Sequence, residues 1–528
     1  MNVIKRSAVI IFSIVAIFLS IAPSRAEDGR PSPQSNDIAT ARKELSSIIN
    51  GKEVKYTVVS GLTTLFDEND REMGSIFSTS YLADARNGEN RPVAFIFNGG
   101  PGSASTCLHI GAFGPKILPG TGNAGLNLPV PPYLLEDNPD SPLDIADLVF
   151  IDPVGTGFSR ALEIAAEGGS DKSDSKLGVA SPHDPKANEP FWSVEGDLKS
   201  LAEFVRVWLN ENNRWGARVF IIGESYGGFR AAGLPVYLSR AGITTSGTAL
   251  ISPVISFKDI FDSIDGFTAN IERLPSIAAT AHYHKLLAPD LQKLSVESLV
   301  EQVTQWANGE YLSAFMDGNE LSGERFTRTV RELSRLTSIP EAEFKGSKLR
   351  LPSEEALKTL ILRERGLNVS MYDSRMTAPA SYGGYEDPLN AISDAGYGTA
   401  LMDFLYKTVG LSTARKYEQL SESVFQYWKY QSSESNDYSG DIANTGPLLA
   451  SQMRQYPFLR VFVAMGRYDL VCPAESVIAA LKRLDVPREL VEKNIERHLY
   501  EGGHMMYTNP DAAKKLRLDL KNWMRSAL

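Results

Sequence analysis

Apolar and polar residues alternate over residues 54–64 and again over 75–82. This period of two marks strands with one covered face, and their closeness predicts an antiparallel pair. Four short apolar runs follow, at 93–97, 148–151, 219–222 and 248–251, each bounded by turn residues. Helical periodicity lies between them, most clearly over 197–209. There Leu198, Leu201, Phe204, Val205, Trp208 and Leu209 fall on one 3.6-residue stripe. Strands alternating with helices predict a mainly parallel sheet in an α/β fold.

The pattern changes after residue 256. Strand-like runs fade, and helical stretches at 296–306, 324–336 and 354–363 dominate up to about residue 440. Residues 372–397 are rich in Gly, Pro, Ser and Tyr and are expected to be loop. Strand signals return at 460–464 and 496–500, and a helix over 512–524 closes the chain. The economical division is one α/β core in two parts, 27–255 and 441–528, interrupted by a mainly helical cap insertion, 256–440.

The first residues have a different character. Lys5 and Arg6 precede an almost wholly apolar stretch over 8–22, and Ser24-Arg25-Ala26 offers a small-x-small cleavage site. That pattern predicts a signal peptide, 1–26, too short in its apolar part for a span of about 20 residues. Export to the periplasm or the exterior is expected, with no stable membrane association after cleavage. Residues 27–40 are polar, hold two prolines and are expected to be a linker. The 528 residues carry 54 basic and 64 acidic side chains, a net charge of −10. This balance argues against a nucleic-acid partner, which needs a basic stripe. Two cysteines, Cys107 and Cys472, permit at most one disulfide. They are too few for a cysteine-built metal centre. His282-x-His284 is too meagre for a metal site. The Gly-rich stretch 98–102 lacks the Gly-Lys-Ser/Thr ending of a phosphate loop. Gly155-x-Gly157 has Arg160 where a dinucleotide fingerprint needs its third glycine. No cofactor is expected.

Gly223-Glu224-Ser225-Tyr226-Gly227-Gly228 follows the apolar run at 219–222 and opens a helical stretch to about Leu238. G-x-S-x-G between strand and helix is a nucleophile elbow. The serine sits on a sharp turn, and the flanking glycines let strand and helix pass close to it. A serine needs a base, and the base needs a carboxylate to hold its tautomer. Of six histidines, His282 and His284 fall in the insertion, His109 and His183 in loops, and His498 within a strand. His504 alone sits on a Gly-rich loop just past a core strand. Asp469, in Gly466-Arg467-Tyr468-Asp469, also follows a core strand. The order Ser225, Asp469, His504 is that of α/β-hydrolases. An oxyanion hole requires backbone N–H donors. Tyr226, after the nucleophile, offers one, and the loop Asn98-Gly99-Gly100-Pro101-Gly102 after the run at 93–97 offers another. These residues alone also suit a proline-type aminopeptidase, an esterase or an acyltransferase. A non-catalytic binding protein on the same scaffold would leave Ser225 unlabelled by serine-directed reagents. Oligomeric state is not legible.

The chain resembles the serine carboxypeptidase family of α/β-hydrolase-fold peptidases, in a bacterial-type exported form. Four blocks carry the resemblance: Asn98-Gly99-Gly100-Pro101-Gly102-Ser103-Ala104-Ser105; Asp152-Pro153-Val154-Gly155-Thr156-Gly157-Phe158-Ser159; Gly223 to Gly228; and Asp469-Leu470-Val471-Cys472 with Gly503-His504-Met505. It implies hydrolysis of C-terminal peptide bonds through an acyl-enzyme on Ser225, with Asp469 and His504 completing the triad. It also implies Gly100 and Tyr226 N–H groups in the oxyanion hole, Asn98 and Glu224 at the substrate's C-terminal carboxylate, and Cys472 as a free thiol near the site. Two positions depart from the family's pattern. Ser103 stands where a cysteine is usual. Ala112, in Gly111-Ala112-Phe113-Gly114-Pro115, stands where the family has a second carboxylate-binding glutamate. Without that partner, and unless burial alone holds its proton, Glu224 is expected to ionise at lower pH. Recognition of a free C-terminus would then weaken above about pH 5–6.

Overall fold

The computed structural model describes residues 38–84, 90–120, 130–163, 178–259, 267–381, 387–431 and 443–528. The expected signal peptide lies outside the described residues, as does all but the end of the expected linker. The two alternating segments become β2 (Lys52–Phe66) and β3 (Glu72–Ala83), paired antiparallel. In β2 the inward positions Tyr56, Val58 and Ser60 are buried while their neighbours are partly open, so the sequence period is the burial period. Ahead of them, β1 (Ala41–Ile49) adds an antiparallel edge. The pattern at 41–49 gives no alternation, because Arg42, Lys43 and Glu44 stand together. An edge strand tolerates this, since only its inner neighbour must be matched.

The four apolar runs form β4 (Val93–Phe97), β5 (Asp147–Asp152), β6 (Val219–Glu224) and β7 (Thr245–Ile251), and β8 (Arg460–Gly466) and β9 (Ile495–Tyr500) complete the series. The sheet order is β1-β2-β3-β5-β4-β6-β7-β8-β9, with the short strand Arg160–Ala161 as a tenth member beside β3. From β5 to β9 every neighbouring pair is parallel. The α/β class expected from the alternation is the one found.

Both faces of the parallel part are covered, and β4 shows how. Val93, Phe95 and Phe97 join one apolar cluster with Leu198, Phe204 and Leu234. Ala94 and Ile96 point into another with Phe220, Leu516 and Trp523. The first face is covered by α1 (Val194–Glu211) and α2 (Tyr226–Arg240). Ser193 caps α1 by accepting the Gly196 N–H at 3.0 Å.

Between β7 and β8, α3 (Phe267–Tyr283), α4 (Val296–Trp306) and α5 (Gly323–Thr337) build a separate core around Leu274, Ile277, Leu299, Val303 and Leu333. The stretch 372–397 is not all loop. Ala391–Gly396 is a wide helical turn leading into α6 (Tyr397–Asp403). Tyr397, Leu401 and Leu405 pack with Ile96 and Phe150 of the sheet rather than with the α3–α5 core. The final helix α7 (Pro510–Ser526) begins at Asn509, whose Oδ1 accepts the Asp511 and Ala512 N–H groups, and covers the second face. His109, expected in a loop, lies in the helical turn Cys107–Phe113, buried against Phe150 and bonded to the Tyr81 hydroxyl. Among the described residues no helix is long and apolar enough to cross a membrane.

Candidate active site

Ser225 stands where β6 ends and α2 begins. Its backbone has φ 60° and ψ −122°, a left-handed conformation that costs a non-glycine residue of order 1–3 kcal/mol. The surroundings enforce it. Ser225 N–H donates to the Ile251 carbonyl at 2.9 Å, and its own carbonyl accepts from Val254 N–H. The neighbouring glycines leave no room for side chains. A Cβ on Gly223 would lie 1.9 Å from the Gly227 carbonyl oxygen, and one on Gly227 would lie 2.6 Å from that of Phe97. Strand and helix therefore cross at backbone contact, and the half-buried Ser225 is held at the crest of the turn.

Asp469 and His504 lie just after β8 and β9, so parallel register brings both to the sheet edge where β6 delivers Ser225. The His504 ring is 2.7 Å through Nδ1 from Asp469 Oδ2. Asp469 Oδ1 accepts the Val471 and Cys472 N–H groups, both at 2.8 Å. Burial pushes the Asp469 carboxyl up, while His504 and these two donors pull it down. Every contact named faces it with a donor, the arrangement of an anion. For His504, burial acts downward, but Asp469 and Cys472 beside it together raise the imidazole well above its ordinary range. The His504 carbonyl is held by Ser252 Oγ at 2.7 Å.

Cys472 and Cys107 both remain thiols, so the single bridge the sequence permits is not made. The Cys472 thiol is buried, hydrogen-bonds the His504 side chain and is pushed up by burial, which keeps it a thiol near neutrality. Asp469, Cys472 and His504 place potential metal-ligand atoms within 4.8 Å of one another. Asp469 already meets three hydrogen-bond partners, Val471 N–H, Cys472 N–H and the His504 ring, so the trio reads as a hydrogen-bonded unit rather than a cation cradle.

The loop after β4 lies directly against the elbow. A Cβ on Gly99 would come within 2.5 Å of Tyr226 N, which places the Gly99 backbone, next to Gly100 in the chain, against that of Tyr226. Neither the Gly100 N–H nor the Tyr226 N–H donates to a protein acceptor among the described residues. A buried ion pair, invisible to sequence reading, fixes this loop. Arg230 Nε donates to Asp197 Oδ2 at 2.7 Å and Arg230 Nη1 to the Asn98 carbonyl at 2.8 Å. The guanidinium also lies over the Tyr226 ring, 4.8 Å from its centre. Arg230→Ala would leave Asp197 buried and unpaired, a loss of about 3–5 kcal/mol. Denaturant titration is expected to show that loss, with lower turnover as the Asn98 carbonyl comes free.

Glu224 precedes the serine and is buried. Asn98 Nδ2 donates to its Oε2, and the Tyr507 hydroxyl lies 2.8 and 2.9 Å from its two oxygens. Burial raises the Glu224 carboxyl to about 7, against a smaller pull downward from His504 and Tyr507. This is the exception allowed in the expectation about residue 112: without an acid there, burial by itself keeps Glu224 above its ordinary range. Ala112 is fully buried, and its carbonyl accepts from Asn138 Nδ2 and Arg517 Nε. Tyr507 carried no signal in the sequence: it follows His504 in a short turn, and nothing local ties it to residue 224.

A family profile described as serine carboxypeptidase matches residues 51–512. Among solved structures, a prohormone-processing carboxypeptidase of Saccharomyces cerevisiae superposes with a TM-score of 0.50 at 16% identity, over 89% of this chain and 92% of that one. That likeness is one of fold, the α/β-hydrolase fold. A proline iminopeptidase of Mycobacterium smegmatis gives a TM-score of 0.34 at 12% identity, over 88% of this chain and 98% of that one. No curated protein sequence matches the chain. A profile match that spans nearly all of the α/β core and the helices within it is the family evidence: the chain belongs to the serine carboxypeptidase family.

Proposed function

We propose that this serine carboxypeptidase acts through Ser225, His504 and Asp469, with Gly100 and Tyr226 at the oxyanion and Asn98 and Glu224 beside the C-terminal carboxylate of the peptide. The observation that supports it most is the 2.7 Å His504–Asp469 pair just past β8 and β9, at the same end of the sheet as the strained elbow. Asp469 holds the proton on Nδ1, which leaves Nε2 as the base. Ser225 Oγ attacks the scissile carbonyl carbon while His504 takes its proton. The tetrahedral oxygen receives the two backbone N–H groups. The C–N bond then breaks, and the amine leaves with the proton from His504. Water, activated by the same histidine, cleaves the acyl-enzyme and releases the shortened peptide.

The substrates proposed are peptides outside the cytoplasm, periplasmic or secreted, on the strength of the basic, then apolar, then small-x-small order of residues 5–26. Incubation with a mixed peptide library, read by mass spectrometry, is expected to show stepwise loss of C-terminal residues. A serine-directed phosphonate is expected to label Ser225. N-acyl dipeptides with a free carboxylate should be cleaved and free-amine substrates with a blocked C-terminus spared. The reverse preference would move the assignment to an aminopeptidase.

A further inference from the structure

The carboxyl of Glu224 is held by two groups that differ in what they can exchange. Asn98 Oδ1 accepts the Leu108 N–H at 2.9 Å, which orients the amide so that Nδ2 donates to Glu224 Oε2. Asn98 therefore only donates here. The Tyr507 hydroxyl, 2.8 Å from Oε1 and 2.9 Å from Oε2, has one hydrogen and can also accept. Other ionisable groups face this cluster. His504 and Asp469 act on Glu224 from the triad side. Tyr397 and Cys107 act on Tyr507 from the other side. Arg517, close to Tyr397, is committed to the carbonyls of Gly111 and Ala112.

The hydrogen count gives two states. With Glu224 ionised, Tyr507 donates to it, and both donors of the cluster serve the protein's own anion. With Glu224 neutral, its proton belongs on Oε1, because Oε2 already receives the Asn98 N–H. The acid then donates to Tyr507 Oη, and the phenolic hydrogen is free for another acceptor. A peptide carboxylate arriving beside Ser225 meets a negative charge in the first state and a new donor in the second.

We propose that Tyr507 is a specificity-determining residue of this chain, which accepts the Glu224 hydrogen bond and donates its own hydroxyl hydrogen to the free C-terminal carboxylate of the peptide. This rests on the carboxypeptidase reading and adds to it a donor in a chain that has alanine at position 112. No proton changes owner on binding: the neutral acid already donates to Tyr507 Oη, and the phenolic hydrogen turns to the substrate carboxylate.

The test compares kcat/KM for one N-acyl dipeptide as its free acid and as its C-terminal amide, from pH 5 to 8.5. In wild type the acid-to-amide ratio is expected to be high at pH 5.5 and to fall as pH rises through about 7, where Glu224 ionises. Tyr507→Phe is expected to lower the ratio at pH 5.5 by ~10- to 100-fold, chiefly through KM of the acid, the effect of losing one hydrogen bond to a charged group. A ratio within threefold of wild type overturns the proposal, and so does an equal loss on both substrates, which is what a structural role gives. Phosphonate labelling of Ser225 reports whether the variant folds. If it does not, Glu224→Gln decides. The substituted amide is neutral at every pH and its N–H still donates to Tyr507 Oη, so the ratio should stay level from pH 5 to 8.5. A ratio that still falls through neutrality overturns the proposal. Wild type cleaving only the amide also overturns it while leaving the hydrolase assignment standing. Turnover of neither substrate removes the carboxypeptidase reading itself.

Discussion

Ser225→Ala is expected to lower kcat by ~10⁴-fold or more while leaving the fold intact. The magnitude follows from the triad acting as a unit: without the nucleophile no acyl-enzyme forms, and only binding and the oxyanion donors remain to speed direct attack by water. Stability should barely change, because it is the backbone of Ser225 that ties the turn down, through Ile251 and Val254. Alanine keeps the left-handed strain that serine already bears at φ 60°. The measurements are turnover of an N-acyl dipeptide, phosphonate labelling and a denaturant curve. A variant that keeps more than about a tenth of wild-type kcat would end the assignment of Ser225. A variant that unfolds would show instead that the hydroxyl has a structural role.

Asp469→Asn is expected to cost ~10⁴-fold in kcat, by a different route. Asp469 Oδ1 accepts two backbone N–H groups, from Val471 and Cys472. An asparagine must keep its oxygen there, since its NH₂ group would otherwise face two donors and leave them unsatisfied at about 1–3 kcal/mol each. Its NH₂ is thereby turned toward His504 Nδ1, where aspartate accepts at 2.7 Å. The imidazole must then accept at Nδ1 and carry its hydrogen on Nε2. That tautomer cannot take the proton of Ser225. The geometry survives and the base is lost. A proton NMR spectrum should show the Nδ1–H resonance of wild type missing from the variant. A kcat within tenfold of wild type would mean that Asp469 does not set the tautomer. The same pair also bears on pH. The carboxylate raises His504, so wild-type activity should rise with pH as the free imidazole loses its second proton. Removing the charge in Asp469→Asn should move that ascending limb to lower pH.

Much of the candidate site was legible along the chain because it is built from local patterns. The elbow announces itself as an apolar run, a glycine-flanked serine and a helical stretch, all within about 20 residues of sequence. The same glycines prove to stand at backbone contact. Asp469 and His504 could be chosen because each follows a run that reads as a core strand, and active groups of open parallel sheets gather at the carboxyl ends of strands. The helices at 197–209, 296–306 and 512–524 were visible for the same reason: one turn of spacing decides which face is apolar.

Contacts that join distant segments could not be read this way. The Arg230–Asp197 pair that holds the loop after β4 is formed by two helices whose adjacency depends on the order of strands in the sheet. The edge strand β1 lacks alternation because its outer side meets no core, and Tyr397 belongs to the sheet's core although it follows a stretch rich in glycine and tyrosine. The clearest case is Glu224. The alanine at 112 gave reason to expect ionisation at lower pH unless burial held the proton, and burial is not legible along the chain. Burial beneath Asn98 and Tyr507, residues 126 and 283 positions away, raises the carboxyl to about 7. Local periodicity specifies which face of a strand or helix turns inward. The cost of charging a carboxyl depends on the donors and the apolar volume around it, and those are assembled only when the strands are ordered side by side.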